Sequence, residues 1–170
     1  MTDMSVDALK DNLSDAQRSY LFELIIPNPV GGGNEETLRL RLMSTSLPGR
    51  SFGGILIPFK QSAGVKYPGK LTYDHTWDCV FVEGEDEKTF DALYAWFQSV
   101  IHDRTNMGTN DVVIKTDGIL RMLGRDGAVT RKVKMIGLYP ESLGDTPISQ
   151  DDEGELRYTM TWSYDRWEDI

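Results

Sequence analysis

The closing stretch GELRYTMTWSYDRWEDI, residues 154–170, constrains this chain more than any other. Leu156, Tyr158, Met160, Trp162 and Tyr164 fall on one side of an alternating pattern. Arg157, Thr159, Thr161, Ser163 and Asp165 fall on the other. Successive side chains of a strand point to opposite faces, so this period of two predicts a half-buried antiparallel strand with one apolar and one wet face. Residues 118–170 read together as a β-hairpin turning at Asp126-Gly127, a two-residue turn signal. A polar loop from Pro140 to Gly154 and one long closing strand follow.

The upstream chain repeats this theme. Ser19–Pro27 carries Tyr20, Phe22, Leu24 and Ile26 against Leu21, Glu23 and Ile25, a strand apolar on both faces. Pro27-Asn28-Pro29 and Gly31-Gly32-Gly33 then read as a hairpin turn, and Thr37–Ser44 as the return strand. His75–Glu83 places Trp77, Cys79 and Phe81 on one side, with Cys79 as a small core residue. The acidic turn at 83–87 leads into a helix over 86–102. Its stripe is Phe90, Leu93, Phe97 and Val100 or Ile101, widened by Tyr94 and Trp96. Asp86 and Glu87 suit the positive end of its dipole.

Two segments read as arms. Val6, Leu9 and Leu13 in residues 1–17 have helical spacing over about two turns. So short a helix needs a surface to dock on, either a neighbouring subunit or its own chain end. Residues 46–75 begin with SLPG and are punctuated by Gly53-Gly54, Pro58, Gly64 and Pro68-Gly69, which are expected to forbid a long regular element. They read as an extended hairpin/loop arm, either projecting or folded back on its own body. A projecting arm would need a partner to cover Phe52, Ile55, Leu56, Ile57 and Phe59.

Composition removes several classes of function. A length of 170 residues predicts one domain, 1–170. With 18 Lys and Arg against 27 Asp and Glu, the formal charge is −9, which argues against a phosphate-binding surface as the main function. The single cysteine cannot form an internal disulfide. No apolar run of membrane-spanning length and no signal-peptide pattern is present, so a soluble chain made in the cytoplasm is expected. HExxH, GxSxG, Walker A and GxGxxG are all missing. His75 and His102 with Cys79 do not make a zinc site, and the acidic run at 151–153 lacks calcium-loop spacing. The expectation is no enzyme, no cofactor and no metal.

Several landmarks occur together in order: SLPG at 46–49, PGKLTYDHTWDCVFVEGED at 68–86, WFQSVI at 96–101, MIGLYPESLG at 135–144, and the closing TWSYDRWED. In this the chain resembles the tail tube proteins of contractile-tailed bacteriophages. The resemblance covers nearly the whole chain, with departures at Gly31–Gly33 and around 145–153. It implies a mainly β (α+β) antiparallel sandwich or barrel with one flanking α-helix and a long projecting hairpin arm. It further implies a virion protein whose hexameric rings stack into a tube inside a contractile sheath. Expected partners are the sheath, tape-measure, baseplate tube-initiator and tail terminator proteins, with viral DNA passing through the lumen without specific binding.

On this reading the arm residues Phe52, Ile55, Leu56, Ile57 and Phe59 meet a neighbouring subunit or ring. Thr159, Thr161, Ser163 and Asp165 face the lumen. The net charge motivates an acidic channel wall that duplex DNA does not adsorb to. The alternatives are the tube of a phage-derived contractile injection system, tailocin or type VI-like, and a soluble β-rich binding module.

Overall fold

The computed structural model describes residues 6–13, 16–27, 35–60, 62–102, 107–108, 114–151 and 153–170. Its organising element is β9 (Val129–Leu143), a strand shared between two halves of a seven-stranded antiparallel sheet. The first half of β9 lies between β8 (Thr116–Leu123) and β11 (Arg166–Asp169), and β8 pairs in turn with β1 (Phe22–Ile25). The second half pairs with β10 (Arg157–Ser163), followed by β5 (Thr76–Val82) and β2 (Leu42–Thr45). Between the halves sits Gly137, at a φ of +71° that side chains rarely adopt. A Cβ built there would lie 2.2 Å from Asp165 Oδ2. The sheet therefore turns its corner where only glycine fits.

The closing stretch is two strands. Its inward row Met160, Trp162 and Tyr164 is buried as the alternation requires. After Ser163 the chain crosses halves: Tyr164 N donates to His75 O at 3.1 Å and Asp165 N to Ile136 O at 3.0 Å. The sequence carries this break in its parity. Tyr164 and Trp167 both point inward three residues apart, which one regular strand does not allow. Pro140 opposite Trp162 has no N–H to give, and the register of β9 and β10 shifts there.

The fold class is mainly β with antiparallel pairing, as expected, and the described residues hold three α-helices, of which the N-terminal one and the long one were anticipated and the second was not. These are α1 (Val6–Leu13), α2 (Glu35–Arg41) and α3 (Lys88–Val100). The segment read as a strand over Thr37–Ser44 is α2 followed by β2. Glu35 and Glu36 in its first turn and Arg39 and Arg41 in its last complement the helix dipole. The alternating leucines misled, since Leu38 is 2% exposed and Leu40 is 70% exposed. The Gly31–Gly33 turn lies outside the described residues. The Asp126-Gly127 turn is longer than two residues, because Leu123 pairs with Val129. Gly127 is left-handed, and the Asp126 carboxylate accepts from Ala128 N at 3.0 Å.

The helix expected over 86–102 is shorter, because Ile101–His102 form β6 and pair with β7 (Met107–Gly108). Helix α3 buries Thr89, Ala92, Leu93 and Trp96, a stripe rotated about one residue from the expected one. Phe97 and Val100 are only half-buried. Trp96 packs against Trp162 with the rings tilted by 56° and their centroids 4.9 Å apart, and its indole donates to Ile114 O at 3.0 Å. Cys79 and Phe81 complete this core, both fully buried.

Candidate assembly interface

The hairpin of β3 (Arg50–Phe59) and β4 (Ser62–Tyr73) forms a two-stranded sheet of its own. Every residue of β3 is exposed. At about 3.3 Å per residue, ten residues reach roughly 33 Å. Ile55 pairs with Tyr67, Leu56 with Lys66 and Ile57 with Val65. Cross-strand partners share a face, so Ile55, Ile57, Val65 and Tyr67 line one side and Leu56 with Lys66 the other. The five expected arm residues are all more than half exposed: Phe52, Ile55, Leu56, Ile57 and Phe59. Val65 and Tyr67, equally exposed, belong with them, and only the hairpin register reveals this. The glycines allow the strands to approach: a Cβ at Gly64 would lie 2.7 Å from Ile57 O, and one at Gly69 3.0 Å from Gly53 O.

Two core tryptophans hold the hairpin at its root. The Trp77 indole donates to Ser46 O at 2.6 Å, and the Trp167 indole donates to Gly49 O at 3.2 Å. The Arg50 guanidinium lies 4.7 Å over the Trp167 ring, a cation–π contact. SLPG is thus a segment whose first and last carbonyls are gripped by indoles from β5 and β11. On the return leg, His75 Nδ1 donates to Tyr164 O at 3.0 Å. A rigid root under an exposed apolar blade presents that blade at a fixed angle.

The outward row of β10 holds three of the four expected lumen residues. Thr159 is exposed, and Thr161 and Ser163 are half-buried. Beside them the register places Asp78 and Ser142 against Thr161 and Thr76 against Ser163. Thr161 Oγ1 donates to Asp78 Oδ1 at 2.6 Å. Asp165 sits past the end of this row, in the crossing to β11, and pairs with Lys115 Nζ at 3.2 Å. The face is lined mainly with small hydroxyl side chains.

A polar knot joins α2, β5 and α3. Residue Glu87, at the start of α3, is left-handed and makes no side-chain cap. The carboxylate of Glu83 caps instead, accepting from Thr89 N at 3.2 Å, Phe90 N at 2.7 Å and Gly84 N at 2.9 Å. Its side chain is only 3% exposed and meets Arg41 Nη1 at 3.0 Å, while Arg41 Nη2 bonds both oxygens of Asp86 at 2.8 Å. Burial alone would raise the Glu83 pKa, but the N–H groups of Phe90, Gly84 and Thr89 and the Thr89 hydroxyl outweigh it and hold it below 4.5. Among the described residues, no cluster of three or more His, Cys, Asp or Glu is placed to hold a metal. Nor is any helix long and apolar enough to cross a membrane.

A family model for phage tail tube proteins matches residues 19–169. The chain belongs to the phage tail tube protein family. Its members are structural proteins, not enzymes. No curated protein matches the sequence. Among solved structures, the chain is similar to the tube-terminating cap of the anti-feeding prophage, with a TM-score of 0.69 and 16% identity over 99% of this chain and 95% of that one. It is also similar to a chain of the extended sheath–tube complex of an extracellular contractile injection system, PVC, with a TM-score of 0.64 and 16% identity over 99% of each. The PVC sheath/tube terminator gives a TM-score of 0.64 and 15% identity, covering 92% and 97%. At these identities the likeness establishes a shared fold.

Proposed function

We propose that this protein is the major tail tube subunit of a contractile-tailed virion. One domain, 1–170, assembles into hexameric rings that stack around a channel through which the genome leaves. Its partners on this reading are the sheath, the tape-measure protein, the baseplate tube-initiator and the tail terminator, and its place is the tail of the particle. The observation that carries the reading is the rooted, exposed hairpin. Seven large apolar side chains along it are at least half exposed, an arrangement that exposes the chain to aggregation unless a neighbour covers it. The arm residues Phe52, Ile55, Leu56, Ile57 and Phe59 would be covered by an adjacent subunit or ring. The hydroxyl row Thr159, Thr161 and Ser163, with Asp165 at its end, would face the water-filled channel.

A second reading within the same class is favoured by the fold likeness to chains of the PVC and anti-feeding-prophage particles. It makes this the tube of a phage-derived injection system, with cargo other than DNA. Negative-stain microscopy of concentrated protein tests the shared part of both. Hollow tubes or stacked rings are expected from the full chain, and folded, unassembled protein from a variant lacking residues 52–66. Full-length protein that stays monomeric at every concentration would defeat both readings. DNA protected inside purified particles separates them.

A further inference from the structure

The seven-stranded sheet does not close on itself. Strands β1 and β2 are the two ends of its order, so among the described residues each pairs on one side only, β1 with β8 and β2 with β5. The sheet curls enough for both ends to flank one groove of about 190 Å³. Phe22 of β1 with Leu120 and Met122 of β8 forms one bank, and Thr45 of β2 with Ser46 and Leu47 forms the other. A cavity of roughly 150 Å³ already holds a benzene ring, so this one takes about one or two aliphatic side chains. Unpaired strand edges beside apolar surface invite another chain, and natural sheets cover them with a helix or a loop.

The chain carries a cover within reach. Gln17 is pinned beside the groove, its Nε2 donating to Leu123 O at 2.9 Å and its Oε1 accepting from Thr130 Oγ1 at 3.3 Å, and Leu123 adjoins Met122 of the groove. Helix α1 ends at Leu13, four residues before Gln17, so that end stays within roughly 14 Å of the anchor. Its length of roughly 12 Å matches the roughly 13 Å of β1. Val6 is 67% exposed and Leu13 52%, and their spacing with Leu9 gives the helix a one-sided apolar stripe. So short a helix is marginal until that stripe is packed. Resting on the tube reading for its effect on assembly, we propose that α1 is a strap. In the unassembled subunit it folds back into the groove of its own chain, covers the edges of β1 and β2, and so holds back self-association. The tether decides the occupant. A short linker sets an effective concentration in the millimolar range, which a second copy at micromolar concentration does not match. A neighbouring copy reaches the edges only while the strap is out.

Disulfide trapping in dilute, monomeric protein tests the docking. Cys79, the one native cysteine, is fully buried, so a crosslink joins introduced thiols. Val6→Cys with Leu47→Cys is expected to close an intrachain disulfide about tenfold or more faster than Val6→Cys with Ile148→Cys, whose second site lies past the far end of β9. Reductant-sensitive dimers in place of the intrachain product would seat α1 on a second copy and overturn the strap, as would equal rates in the two pairs. Light scattering at rising concentration reads the restraint. A chain lacking residues 1–14, and a Val6→Asp, Leu13→Asp variant that keeps α1, are expected to associate about tenfold more readily than wild type, the factor for a strap closed about nine-tenths of the time. Among the described residues no α1 side chain belongs to the core, so both variants are expected to keep the β signal in circular dichroism. An intrachain crosslink without the gain in association overturns the restraint. If the crosslink forms and none of the chains associates at any concentration, the tube reading fails and takes the restraint with it. If tubes form and the crosslink does not, the strap alone fails.

Discussion

At the scale of single residues, Glu83 does the work expected of Asp86 and Glu87. Its carboxylate, four residues before Glu87, caps α3 and anchors Arg41 of α2. Sequence proximity pointed to the adjacent acids because carboxylates in a first turn usually act there. The left-handed backbone at Glu87 directs the chain so that the earlier carboxylate reaches Thr89 and Phe90 instead. Glu83→Gln is expected to destabilise the monomer by about 2 kcal/mol, the scale of charged hydrogen bonds lost from a buried site. The native pKa lies below the unfolded value near 4.5, so the carboxylate's contribution is complete above pH 4.5 and fades as pH falls through the lowered value. Denaturant titrations should therefore show the gap between wild type and Glu83→Gln narrowing below pH 4.5; a constant gap would refute the assignment. Cys79 behaves as the sequence led one to expect. Burial pushes its thiol up to about 12, so folded protein should resist iodoacetamide and denatured protein should react fully.

At the scale of elements, strands with a strict two-residue period were legible and those bent by tertiary context were not. The inward row of β10 and the alternation of Trp77, Cys79 and Phe81 in β5 were read correctly, because each strand buries one face in the shared hydrophobic core. The leucines at 38, 40 and 42 have the same spacing, yet α2 forms there because only Leu38 finds a fully buried place. The extended hairpin of β3–β4 was recognisable, but its Gly and Pro residues do not forbid a long regular element as expected: β3 runs ten residues and β4 twelve, with register shifts after Phe52 and Ile57 absorbing the irregular positions. Its root was not recognisable, since indole-to-carbonyl contacts across 31 and 118 positions leave no local pattern. Nor was the corner of β9, which depends on a single glycine. Gly137→Ala is expected to cost about 2 kcal/mol from backbone strain alone, with more from the crowding of Asp165. Thermal unfolding would measure it, and an unchanged melting temperature would mean the corner relaxes freely.

At the scale of the whole molecule, the proposed function divides the labour of a tube wall between the two candidate surfaces. The hairpin supplies apolar surface that has to be covered. The outward row of β10 supplies polar surface able to stay wet, since its hydroxyls are satisfied by water or by neighbours such as Asp78. That row carries few charges, so if it lines the proposed channel, any repulsion of DNA comes from the summed field of subunits at −9 each, more than from the lining itself. This makes the lining sensitive to added cations. Thr159→Lys with Ser163→Lys places two positive charges per subunit on the row without touching the core, so folding and tube formation are expected to persist. In the proposed hexameric ring, twelve such lysines would give phosphates something to hold. Such tubes should then co-sediment with short duplex DNA at low salt and release it at high salt, while wild-type tubes leave the DNA in the supernatant. If the variant tubes take up no more DNA than the wild type, or if the lysines block ring formation, the row lies on an outer or intersubunit face and the channel is lined by another strand.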